Sequence, residues 1–311
     1  MHQSLSPEVV TNPVPQGVQG QRGLGYVKPE DLQLAADQRP QNAEFRLTST
    51  TSFNPFLVLL NNTEAPKTIL LTTVLDYRQV SFTLDNQDGL LHLVTIPAHS
   101  EVNIPLRLTI AEPGRHDLYV VAFEDPFNLS LSIRDRNDTY GKAFSRRTTV
   151  VVGDSDAPTR VLDVADIGAI PSPKGQLSLH IMFVQRPADS TAIVSPPERN
   201  LVYTDTVSLG QPYPLQMVVT ANHEAKAGVH AIVPFLNYHQ VPVNGQDVLA
   251  LRLEADEEAV INADIALPDE AGVHQLQMVY LIDPYSDLLT ETDVYPFVQS
   301  SFRIAIVAQE P

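Results

Sequence analysis

The chain has 311 residues, 37 acidic and 20 basic side chains for a formal net charge of −17, 43% hydrophobic residues and no cysteine. A globular chain of this length exceeds what one small core fills and points to two domains. The charge argues against a polyanion as partner, because phosphate recognition needs a concentrated positive surface. Nucleic acid and anionic membranes are therefore not expected partners, and the missing cysteines remove disulfides, thiolate nucleophiles and thiolate metal sites together.

Residues 1–42 open with MHQSLSPEVVTNP and carry Pro13, Pro15 and the run GVQGQRGLG, with few apolar side chains and no period. Such a stretch buries too little surface to offset its ordering entropy, so it reads as a flexible or extended N-terminal arm. A short helical turn is expected at PEDLQLAAD, residues 29–37. No basic n-region followed by an apolar h-region is visible, so no signal peptide is read here. No apolar run approaches the ~18 residues of a bilayer span, so no transmembrane segment is expected.

From residue 43 the pattern becomes short alternating runs bounded by Pro, Gly, Asn and Asp, which defines a β-sandwich domain over 43–153. In NIPLRLTI, Ile104, Leu106, Leu108 and Ile110 face one way and Pro105, Arg107 and Thr109 the other, the mark of a strand with one buried face. Residues 154–175 are rich in Pro, Asp and Gly and read as a linker, in which VLDVADI is able to pair as an edge strand. A second sandwich follows over 176–311, lengthened near its start by the inserted loop RPADSTAIVSPPERN and carrying the strand VINADIAL, with Ile261, Ala263, Ile265 and Leu267 in phase. The acidic run EADEEA, residues 254–259, reads as a solvated turn.

The two domains repeat one another. GRHDLYVVAFEDPFN (114–128) returns as GVHQLQMVYLIDPYS (272–286), LDYRQV (75–80) as LNYHQV (236–241), and the polar turn LNNTEAPK as TANHEAKAG. Leu32, Leu34 and the QRP at 38–40 echo Leu177, Leu179 and the QRP at 185–187 more weakly. The order is the same in both halves, so the chain reads as an internal duplication of an all-β unit, two tandem immunoglobulin-like (Greek-key) β-sandwiches with an extended N-terminal arm.

The repeated histidine and aspartate carry the chemistry to be weighed. In immunoglobulin-like sandwiches a corner residue entering a strand bonds back to the backbone upstream. EPGRHDL and EAGVHQL fit that frame with His116 and His274 at the corner, each presenting a ring nitrogen. As metal ligands or general bases they would need partners, and no second histidine lies at metal-ligand spacing from either. Asp125–Pro126 and Asp283–Pro284 are read as strand-end turns, since proline cannot continue a ladder, with calcium as the alternative because carboxylates at a sandwich end can hold that ion. Asp135, Asn137 and Asp138 in DRNDTYG are weak calcium candidates, although their glycine does not fall where an EF-hand loop needs it; no other cofactor or metal is indicated. No nucleophile elbow, phosphate loop or His-Glu-x-x-His is present, so an enzyme is not expected.

Each half resembles the immunoglobulin-like domains of bacterial surface proteins, and most closely the cell-adhesion-related domain found in tandem in secreted proteins. The resemblance rests on the polar turn (Asn61 to Glu64; Ala221 to Glu224), on LDYRQV or LNYHQV, and on the Gly-x-His-x-Leu entry into a strand closed by Asp-Pro. It implies a non-catalytic extracellular or cell-surface module, structural or adhesive, acting through protein–protein contacts. Sheet edges accept added strands, so self-assembly through the N-terminal arm is the expected mechanism. The alternative is a glycan- or calcium-binding module accessory to a secreted enzyme; the absence of tryptophan weighs against sugar platforms, while tyrosines such as Tyr77 and Tyr285 keep a glycan open.

Overall fold

The structure, a computed structural model, describes residues 9–14, 22–35, 38–40, 44–48, 52–165, 167–172, 181–186, 200–221, 227–285 and 298–310. It is an all-β chain of two immunoglobulin-like sandwiches. They separate into two compact units whose membership does not follow the sequence halves. The first draws on Met1–Phe127, Phe144–Val161 and Tyr285–Tyr295, the second on Asn128–Ala143, Leu162–Pro284 and Pro296–Pro311.

In the first unit one sheet runs Arg22–Val27, Phe56–Asn61, Ser100–Thr109, Phe82–Leu84, Gln87–Gly89, with Val10–Pro13 and Ser52–Phe53 also paired to Ser100–Thr109. The facing sheet runs His92–Ile96, Lys67–Leu75, Gly114–Glu124, Ala143–Val152, Glu44–Leu47, the last pair parallel. The alternation read in NIPLRLTI holds: Ile104, Leu106, Leu108 and Ile110 are buried, whereas Arg107 and Thr109 are exposed. These inward rows meet Leu57, Leu59, Leu71, Val120 and Val150 in one core.

The second unit repeats the plan. Ile170–Pro171, Glu257–Ile265, Tyr213–Ala221 and Ile181–Val184 form one sheet; Val164–Ala165, Leu249–Leu253, Gly228–Leu236, Gly272–Ile282, Ile304–Gln309 and Thr204–Ser208 form the spine of the other. Thr204–Ser208 runs parallel to Ile304–Gln309 as Glu44–Leu47 runs parallel to Ala143–Val152, so the duplication extends to the pairing register.

Several sequence expectations need correction. Residues 1–42 are not only an arm: Arg22–Val27 pairs with Phe56–Asn61 and buries Tyr26 and Val27, just as Ile181–Val184 pairs with Tyr213–Ala221. Arg22–Val27 is thus the equivalent of the strand before the second QRP. The echo of the first QRP, at 38–40, is out of place, since Pro29–Asp31 is a short 3-10 turn lying beyond the true equivalent. The stretch 154–175 is no free linker. Thr159 exchanges backbone hydrogen bonds with the Arg115 region of the first unit, and Val164–Ala165 pairs with Leu249–Leu253, the edge pairing VLDVADI allowed. In EADEEA only the first residues form an exposed turn; Glu258 is fully buried at the start of Glu257–Ile265. Most of RPADSTAIVSPPERN, with Leu177, Leu179 and residues 222–224, lies outside the described residues.

Candidate functional site

The repeated stretch places its histidine at the mouth of a strand in both units. The Nε2–H of His116 donates to the Glu112 carbonyl at 2.8 Å and that of His274 to the Glu270 carbonyl at 2.9 Å, each four residues upstream. This is the corner bond with imidazole in place of phenol.

The other ring nitrogen distinguishes the copies. In the first unit His116 Nδ1 sits 2.6 Å from Asp76 Oδ2. A carbonyl and a carboxylate accept, so this pair of partners favours the doubly protonated ring. Burial opposes that charge, but the Asp76 hydrogen bond, the Glu112 carbonyl and the charges of both carboxylates outweigh it and raise the His116 pKa above its ordinary value. In the second unit Asn237 takes the place of Asp76: its Oδ1 accepts from the Gln275 N–H, so its Nδ2 donates to His274 Nδ1 at 2.9 Å. Neither ring leaves a nitrogen for a metal or for general-base chemistry in this arrangement.

Asp76 and Tyr77 have φ of 49° and 67°, and Asn237 and Tyr238 have 48° and 67°. Two successive positive values make the tight hairpin turn that glycine and asparagine usually supply. Tyrosine holds the conformation because its ring turns inward: Tyr77 is buried and its hydroxyl donates to Asp117 Oδ2 at 2.5 Å. Asp117 is gripped by Arg147 through Nε and Nη2, both at 2.6 Å. The N–H of Tyr285 donates to the same carboxylate at 3.0 Å, while its hydroxyl reaches Asp76 Oδ1 at 3.2 Å. Burial, then the Asp117 charge, pushes the Tyr77 hydroxyl well above its usual range. Burial of Arg147 is outweighed by Asp117, so the guanidinium stays charged.

The second unit builds the same node with different groups. Arg303 donates to the Tyr238 hydroxyl at 3.0 Å, and Arg136 donates to Gln275 Oε1 at 3.3 Å, with both arginines fully buried. Burial and the neighbouring Arg303 charge lower the Arg136 pKa. These nodes were not legible as such in the sequence. Asp117 and Gln275 follow the corner histidine directly and are out of phase with the apolar rows, which was the available signal.

The remaining sequence candidates are dispersed. Asp125 and Asp283 both adopt positive φ, 47° and 52°, at their strand ends, and the Asp283 carboxylate packs on Gly228. Asp135, Asn137 and Asp138 fall on or beside the short helix Ile133–Asn137 and not in a loop. Asp135 accepts from Ser130 Oγ and Asn137 from the Tyr203 hydroxyl, so their side chains are drawn to different partners. Among the described residues, no group of three or more His, Cys, Asp or Glu is placed to hold a metal, and no helix is long and apolar enough to cross a membrane.

A surface feature bears on the expected assembly. Val10–Pro13 pairs antiparallel with Ser100–Asn103, from Val10 opposite Asn103 to Pro13 opposite Ser100. The accepting residues are all buried, whereas Val10, Thr11 and Pro13 are exposed. The arm thus supplies an outer strand to its own unit.

No family model matches the chain, and no curated protein matches it. Solved structures align with this chain at low identity and low TM-score. Red sea bream transglutaminase aligns over 94% of this chain and 32% of its own, at 10% identity and a TM-score of 0.26. WR4, a C. elegans MSP family member, aligns over 43% of this chain and 100% of its own, at 7% and 0.24. CBD12 from CALX1.2 aligns over 92% and 99%, at 9% and 0.23. The chain spans about a third of the transglutaminase.

Proposed function

We propose that this chain is a non-catalytic structural or adhesive protein of the extracellular or cell-surface type, related to the cell-adhesion-related domains it resembles, and that it works through protein–protein assembly. The observation that carries this reading is the pairing of Val10–Pro13 with Ser100–Asn103. That strand is four residues long and mostly exposed, yet it covers a buried edge. The same four residues from a second copy would make the same hydrogen bonds, and exchange of an identical element is a low-cost route to assembly. Commitment of both His116 ring nitrogens further supports a non-catalytic role.

Light scattering behind size exclusion tests the mechanism on the full chain and on a chain lacking residues 1–14, which retains Arg22–Val27. Concentration-dependent dimers or larger species are expected from the full chain and monomers from the shortened one. A full chain that stays monomeric at every concentration, or assembly that survives the deletion, overturns it.

A further inference from the structure

In the first unit the histidine corner carries a strand-like contact. Residues 157–160 lie across the start of Gly114–Glu124 in a one-residue parallel bridge, with Pro158 opposite Arg115. The Arg115 N–H donates to the Ala157 carbonyl at 2.8 Å, and the Thr159 N–H donates to the Arg115 carbonyl at 3.1 Å. Proline fits between them, because such a bridge uses the residues on either side and needs no N–H from the middle one. The Thr159 hydroxyl donates to Asp76 Oδ2 at 2.8 Å, and Arg160 Nη1 donates to the Asp76 carbonyl at 2.9 Å. The seat is close: a Cβ on Gly114 would stand 2.7 Å from Thr159 Cγ2.

In the second unit the same edge is open among the described residues. Gln275 exchanges backbone bonds with Asn237, its N–H donating to Oδ1 and its carbonyl accepting from the Asn237 N–H. Residues two apart on a strand turn these groups to the same side, so Val273 presents its N–H and carbonyl beside Asn237. Val273 is only partly buried, and no described residue bonds either group. Gly272 has a φ of 148°, against 132° at Gly114, and no described atom stands within 4 Å of where its Cβ would be. The Asn237 carbonyl is likewise unbonded among the described residues.

We propose that this edge docks an extended segment of a separate protein with the chemistry of residues 157–160: a carbonyl and an N–H on either side of a proline, followed by a basic side chain. The carbonyl accepts from the Val273 N–H, the N–H donates to the Val273 carbonyl, and the basic group reaches the Asn237 carbonyl, as Arg160 reaches that of Asp76. The duplication supplies the argument for the occupant, since the matching corner of the first unit is filled in this way. This chain's own copy of the segment is held at that first corner, so a second copy of the chain does not offer it. The edge lies in a different unit from the exchange of Val10–Pro13, and either proposal can fail without the other.

The probe is the peptide DSDAPTRV, residues 154–161, blocked at both ends and added to the full chain. Amide hydrogen exchange followed by NMR should show the Val273 N–H slowed about tenfold or more by the peptide, while the Arg115 N–H, already bonded, is unchanged. A peptide N-methylated at its threonine cannot donate to the Val273 carbonyl, and titration calorimetry should find it about tenfold weaker. No binding of the peptide, equal affinity for the methylated peptide, or protection that omits Val273 overturns the proposal. Protection of Val273 that rises with protein concentration in the absence of peptide assigns the edge to a second copy and also overturns it.

Discussion

A single side-chain atom separates the two corners. Asp76 stabilises the charged form of the His116 ring, whereas Asn237, otherwise its counterpart, donates to His274 Nδ1. The consequence is a pH dependence at the first corner. His116 has a folded pKa raised above its ordinary value of 6.5. A raised histidine pKa contributes stability that is fully present below the unfolded value and is lost as pH rises through the folded one. Asp76→Asn keeps an oxygen for the Asp117 N–H, as Asn237 does for Gln275, while removing the charge. Melting temperatures recorded from acid to alkaline pH should show the native protein losing stability on the alkaline side of the histidine range. The variant should lose that component, and equal pH profiles for the two proteins would mean that the ion pair adds nothing.

At the scale of the element, strands with one buried face were legible because their period is the physical cause of their burial. Ser100–Thr109 and Glu257–Ile265 carry apolar side chains at every second position and are buried there. Arg22–Val27 escaped this reading because RGLGYV offers only Tyr26 and Val27 as well-buried side chains. Gly23 has a structural reason instead: a Cβ there would stand 3.3 Å from the Leu60 Cβ, tighter than most such contacts. The corner histidines were legible because a repeat exposes a fixed spacing. The Asp117–Arg147 ion pair was not, because its partners come from strands far apart in sequence. Tyr26 measures how much the overlooked strand matters. It packs edge-on against Phe45 and Phe53, with ring centroids 6.3 and 5.9 Å away. Tyr26→Ala should destabilise the first unit by about 3–5 kcal/mol, the cost of truncating a large buried aromatic. Chemical denaturation checks this, and a loss below about 1 kcal/mol would place the strand outside the cooperative core.

At the scale of the whole molecule, the duplication did not yield two self-sufficient halves. Each unit's buried polar node takes a residue from the other half of the sequence, soon after the Asp-Pro that ends a long strand. Tyr285 follows Pro284 and completes the first node; Arg136 follows Pro126 and completes the second. In the second unit Thr139 Oγ1 also accepts from the buried Arg303 N–H at 2.7 Å. Withdrawing that acceptor alone leaves a buried donor unsatisfied, at a cost of about 1–3 kcal/mol. Residues 162–311 produced alone lack Arg136 and Thr139, and residues 1–161 produced alone lack Tyr285. Each piece should therefore melt well below the intact chain, and the two should copurify when co-expressed, since each carries the segment the other is missing. Pieces that fold separately to the stability of the whole, and that do not associate, would show that the crossed segments are accessory. Each unit is thus completed by a segment from the other half of the sequence, so a cut at residues 154–175 separates the residues of each node.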